Sequence, residues 1–76
     1  MEKNTKIEFK IVKHIAVINK LFNGWTRELN MVSWNNNEAK LDLRDWDESH
    51  TKMSKGFTFT KEEAQNLIEA LKNEIN

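Results

Sequence analysis

The side chains that could do chemistry in this 76-residue sequence fall into two sets. The first mixes aromatic and basic residues: Phe22, Trp25, Arg27, Trp34, Lys40, Arg44, Trp46, Lys52 and Lys55. Aromatic faces stack on unpaired bases, contributing roughly 1–3 kcal/mol per base, while Lys and Arg pair with phosphates. A β surface carrying both needs no reading helix to hold a single strand. The bland alternative is that the three Trp pack internally and the cations are solvated. The second set is acidic: Asp42, Asp45, Asp47 and Glu48 with His50. Such oxygens near an imidazole can hold a divalent cation in principle. Here His14 is far away in sequence and Cys is absent, so no metal site is expected. Ser33, Ser49 and Ser54 lie in no nucleophile elbow. Phosphate-loop and dinucleotide fingerprints are missing too. No catalytic residue and no cofactor is expected, and the chain reads as a binding protein and not an enzyme.

Composition narrows the partners. Twelve basic and twelve acidic residues cancel, which speaks against a strongly basic nucleic-acid binder unless the charge is sorted along the chain. It is sorted: Met1 to Trp25 holds five Lys against two Glu, and Lys61 to Asn76 holds two Lys against four Glu. No secretory apolar region is present, and Ile15-Ala16-Val17-Ile18 is far too short to span a bilayer. The expectation is a soluble, cytoplasmic protein without a membrane partner. One domain this small seldom builds a large core, and with no disulfide to help, pairing with a second copy is the natural way to bury more surface.

The positioning elements follow from periodicity. Residues 1–6 are polar and expected to fray. Ile7, Phe9, Ile11, Ile15 and Val17 alternate as in a half-buried strand, either one bent strand or two broken near Val12-Lys13. Asn23-Gly24 signals a turn. Trp25 to Asn35 reads as a second strand, in which Leu29 and Val32 cannot share a face unless a bulge intervenes near Asn30-Met31; otherwise Met31 points in and Val32 out. Asn35-Asn36-Asn37 tolerates left-handed backbone and reads as a hairpin turn. In the third strand, Ala39 to Trp46, Leu41 and Leu43 face one way, and Lys40, Asp42, Arg44 and Trp46 face the other, outward. A polar loop, Asp47 to Lys55, opens with two negative charges and leads to a short strand, GFTFT. Thr60 and Glu63 form a capping box. The helix behind them carries Ala64, Leu67, Ile68, Leu71 and Ile75 on one stripe, expected to pack on the sheet and on the helix of a second copy. The fold class is α+β over residues 1–76, a four-stranded antiparallel sheet (7–60) followed by one C-terminal helix (61–75), homodimeric.

Asp42-Leu43-Arg44, Trp46, Met53, Lys55-Gly56-Phe57 and Thr60-Lys61-Glu62-Glu63 resemble the DIR…W…M…KGI…L…E pattern of the positive cofactor four domain, a single-stranded-DNA-binding domain. Gly24 to Asn30 and Val32 to Asn35 are more similar to its bacterial YdbC branch. The similarity runs from Phe9 to about Leu71. It implies a ββββα subunit whose helices pair across a two-fold axis and whose curved sheets hold single-stranded DNA largely irrespective of sequence. It also implies phosphate contacts at Arg44, Lys55 and Lys13, and stacking at Trp46 and at Phe22 or Trp25. Phe57 stands where the family has an aliphatic residue, and the family's regulatory tail has no counterpart. The alternatives weighed against DNA are RNA, duplex, and a protein partner on the Trp-bearing face.

Overall fold

A computed structural model describes residues 7–75; the expected fraying of 1–6 lies outside them. The chain runs β1 (Phe9–Lys20), a 3-10 turn (Phe22–Gly24), β2 (Thr26–Trp34), β3 (Lys40–Trp46), β4 (Phe57–Phe59) and α1 (Lys61–Ile75). The four strands form one antiparallel sheet in sequence order. The family-like order of four strands and a helix is therefore present in one chain.

Asparagine supplies the tight backbone. Asn23, Asn35 and Asn36 all adopt positive φ, which Asn tolerates better than other residues with a Cβ. Asn35-Asn36 makes the β2–β3 hairpin, as expected. The capping box also forms: the Glu63 N–H donates to Thr60 Oγ1 at 3.1 Å, and the Thr60 N–H donates to Glu63 Oε1 at 2.8 Å.

β2 and β3 pair without interruption from Thr26↔Trp46 to Val32↔Lys40. The bulge anticipated near Asn30 is absent. Leu29 and Met31 lie on one face, half-buried, and Val32 on the other, buried. The irregularities fall instead in β1, one strand throughout, where the register slips between Ile11 and Lys13, His14 and Ala16, and Val17 and Asn19. Each extra residue bends the strand and increases its twist. The simple odd–even alternation of β1 is thereby replaced. Phe9, Ile11, His14, Val17 and Lys20 lie opposite Trp34, Val32, Asn30, Glu28 and Thr26, and so share their face.

The bends curl the sheet. Phe9 is opposite Trp34 at one end of β2, whereas Trp46 is opposite Thr26 at the other. Those ends would lie roughly 26 Å apart on a flat strand, yet the Phe9 and Trp46 rings are 5.1 Å apart. The face that carries them is the inside of the curl. Trp46, Val32, Asn30 and Asp42 are 0% exposed there.

The outer face carries Leu29, Met31, Leu41 and Leu43, with Phe59 paired to Leu41. α1 does not close down on it, contrary to expectation. No helix residue is buried, and Leu67, Ile68, Leu71 and Ile75 are exposed. An apolar space of about 420 Å³ separates Ala64, Leu67, Ile68 and Leu71 from Ile18, Leu29, Leu41, Leu43 and Phe59. The physical reason is the short tether. α1 starts one residue after the three-residue β4 and makes its close approaches to that strand.

Candidate nucleic-acid interface

The inner face is organised by buried charge. Arg44 donates from Nε and Nη2 to the two oxygens of Asp42 at 2.8 and 2.9 Å. Its Nη1 reaches the Ser54 carbonyl at 3.2 Å, and its guanidinium lies 4.5 Å from the Trp34 ring centre. A planar guanidinium suits this combined role, since it can fork onto a carboxylate while stacking on an indole. Arg44 thus joins β2, β3 and the loop behind β3. Gly56 holds the other side of that junction. A Cβ there would lie 2.3 Å from both the Leu43 carbonyl oxygen and Arg44 Cβ, so the Lys-Gly-Phe segment needs glycine for β4 to approach β3.

A second polar chain centres on Glu28, opposite Arg44 in the register and nearly buried. Thr26 Oγ1, Asn30 Nδ2 and His50 Nε2 all bond its carboxylate, His50 at 2.9 Å. Burial alone raises its pKa, but those three hydrogen bonds and the nearby imidazole prevail and hold it below the usual carboxylate value. His14 Nδ1 joins the chain 2.8 Å from Asn30 Oδ1. His50, at positive φ, also stacks on Trp46 with ring centres 5.6 Å apart. One loop residue therefore covers a core Trp and ties the loop to β2.

Of the two acidic residues that open that loop, Asp47 is turned inward and Glu48 is exposed. Asp47 Oδ1 accepts the N–H groups of Thr51 and Lys52, each at 2.9 Å, and Oδ2 accepts from the Ser49 hydroxyl. The Lys52 N–H leads the causes that lower the Asp47 pKa. Its charge organises the turn and does not stand free on the surface.

The sequence-singled residues fall in different places. Trp34, Arg44 and Trp46 meet inside the curl, where Trp46 was expected to face outward. With no exposed surface it offers no ring to a base, because Phe9 and His50 occupy its flanks. Arg44, expected outward as well, has its guanidinium committed to Asp42, Ser54 and Trp34. Lys13, opposite Met31, and Arg27, opposite Asp45, lie on the outer face. Arg27 also pairs with Asp45 at 2.8 Å, which raises its pKa. Lys40, Lys52 and Lys55 are exposed, Phe22 is exposed beside the first turn, and Trp25 and Trp34 are half-buried. Sequence reasoning missed the Glu28–Asn30–His14–His50 chain. Its available signal was the polar alternation Thr26, Glu28, Asn30 facing Arg44 and Asp42 in the next strand. Among the described residues, no group of three or more His, Cys, Asp or Glu is placed to hold a metal ion, and no helix is long and apolar enough to cross a membrane.

The family profile described as Transcriptional Coactivator p15 (PC4) matches residues 21–70, which run from the first turn to the middle of α1. The chain belongs to the PC4 family. An uncharacterised protein of Treponema pallidum (strain Nichols) is 33% identical over 73 residues, covering 96% of this chain and 81% of that protein. The PC4 match includes the Arg44 and Gly56 positions on which the β3–β4 junction depends.

Proposed function

We propose that this PC4-family protein is a non-catalytic, homodimeric single-stranded DNA-binding protein of broad sequence tolerance. The observation that carries the reading is the family match across β2, β3, β4 and most of α1. Exposed Phe22 and half-buried Trp25 and Trp34 supply stacking surface, and exposed Lys40, Lys52 and Lys55 supply phosphate contacts. Outer-face Lys13 and Arg27 join the same reading as contacts of a strand that passes around the β1 edge of the sheet. The apolar stripe Leu67, Ile68, Leu71 and Ile75 is the dimer contact, and DNA metabolism or transcription inside a cytoplasm is the setting.

Titration with oligo-dT, with a duplex of equal length and with the matching RNA under one salt condition tests this reading. Single-stranded DNA should quench Trp fluorescence and bind more tightly than duplex, and its affinity should fall as salt rises through counterion release. Equal affinity for strand and duplex, or no salt dependence, would sink it. A protein-docking role is the second reading, favoured by the neutralisation of Arg27 and Arg44 by Asp45 and Asp42. Absence of single-strand binding at low salt would turn the assignment that way.

A further inference from the structure

The inside of the curl is filled over most of its area but keeps one open stretch. This groove of about 350 Å³ is lined by Ile11, His14 and Val17 of β1, Glu28 and Asn30 of β2, and His50 of the loop. Its polar groups have defined roles. Asn30 turns its Nδ2 to Glu28 at 3.2 Å, so its Oδ1 faces His14 and accepts from His14 Nδ1. His50 Nε2 faces the Glu28 carboxylate and donates to it. In each imidazole the nitrogen tied to the network carries a hydrogen in both charge states. The far nitrogens, His14 Nε2 and His50 Nδ1, take no part in that network. Both side chains stay open to solvent, at 52% and 39%.

The charges facing this groove come from every neighbouring element. β3 contributes Asp42 and Arg44, which neutralise one another. β2 contributes Glu28, β1 contributes His14 with exposed Lys20 at the far end opposite Thr26, and the loop contributes His50. With neutral imidazoles, Glu28 is the one charge among the residues that line the groove, Lys20 lying beyond them at the end of β1, and a phosphodiester there meets repulsion. With both imidazoles protonated the same floor is net positive. Imidazole is the side chain whose charge ordinarily changes between about pH 5 and pH 8.

We propose that His14 and His50 are phosphate contacts within the single-strand site, and that binding a strand there draws protons onto these two imidazoles. Ile11 and Val17 form the apolar wall for the sugar or base of the same nucleotide. The inference rests on the function proposed above and adds a groove, two residues and a linked proton uptake to it. Reciprocity requires that if the strand favours the protonated imidazoles, protonation tightens the strand by the same factor.

Oligo-dT is the suitable probe, because thymine does not protonate in the working range. Its affinity is measured by anisotropy at about pH 8 and about pH 6 at fixed ionic strength, with calorimetry in two buffers of different ionisation heat to count protons. Wild-type protein should tighten about tenfold or more between these conditions and take up protons. The half-exposed His14→Gln variant should keep its melting temperature while losing part of the uptake and of the pH response, and His50→Gln should lose the remainder. Lys55→Ala should weaken binding equally at both pH values. Equal affinity at both pH values without proton uptake overturns the inference and leaves the strand-binding reading standing. No binding at any pH overturns both.

Discussion

At the scale of single residues, the decisive facts concern which charges are already spent. Asp42 is fully buried, and the Arg44 guanidinium grips both its oxygens. Removing one partner of such a pair leaves an uncompensated charge, a loss of about 3–5 kcal/mol. Arg44→Ala should therefore lower the urea midpoint sharply, where a mere phosphate contact would leave stability unchanged. An unaltered midpoint with weakened strand binding would restore Arg44 to the nucleic-acid surface. Glu28 makes a pH-dependent contribution. Its pKa is lower folded than unfolded, so its stabilisation is fully present above the unfolded value, near 4.5, and is lost as pH falls through the folded one. Urea unfolding at neutral and acid pH checks this: the wild type should lose more stability on acidification than Glu28→Gln, and parallel losses would refute it.

At the scale of elements, Gly56 and the curl show what local sequence can and cannot convey. A Cβ at Gly56 would meet the Leu43 carbonyl and Arg44 Cβ at 2.3 Å. Gly56→Ala should detach β4 from β3, seen as loss of amide protection at Phe57 and Phe59 and early proteolysis behind Trp46; retained protection would show that β3 can yield. The elements themselves were legible because their signals are local: alternation in β3, left-handed Asn35-Asn36, and the Thr60–Glu63 box. The facing of the side chains was not. Period-2 reading of β1 fails after Ile11 because each of three register slips reassigns the residues beyond it. Leu29 and Val32 looked incompatible only because one face was assumed to be buried, whereas the curl creates a second small core around Val32 and Trp46. No local pattern announces that Phe9 will meet Trp46, since that contact depends on the sheet's accumulated bend. His50 was equally hidden, its value lying in a stack on Trp46 and a bond to Glu28 across 22 residues.

At the scale of the molecule, one chain is more open than a compact domain of its length. Its Cα radius of gyration is 14.3 Å, against roughly 11 Å for a compact domain of this length. Its accessible surface is 6159 Å², against roughly 4,900 Å² for a compact monomer of 9.0 kDa. The excess exceeds the roughly 800 Å² that each partner buries in an interface of ordinary size, and α1 stands off the outer face with Leu67, Ile68 and Leu71 exposed. A second copy offering the same stripe would remove that surface from water. The expected outcome is a solution mass about twice 9.0 kDa by light scattering, with an unfolding midpoint that rises with protein concentration, because association and folding are then linked. Leu71→Glu should shift the protein to the monomer mass and lower its melting temperature. It should also weaken long oligonucleotides more than short ones, since only the dimer offers two sites to one strand. Wild-type protein that stays at the monomer mass at every concentration would refute the dimer. Equal weakening of long and short strands in Leu71→Glu would instead separate the dimer from the binding of DNA.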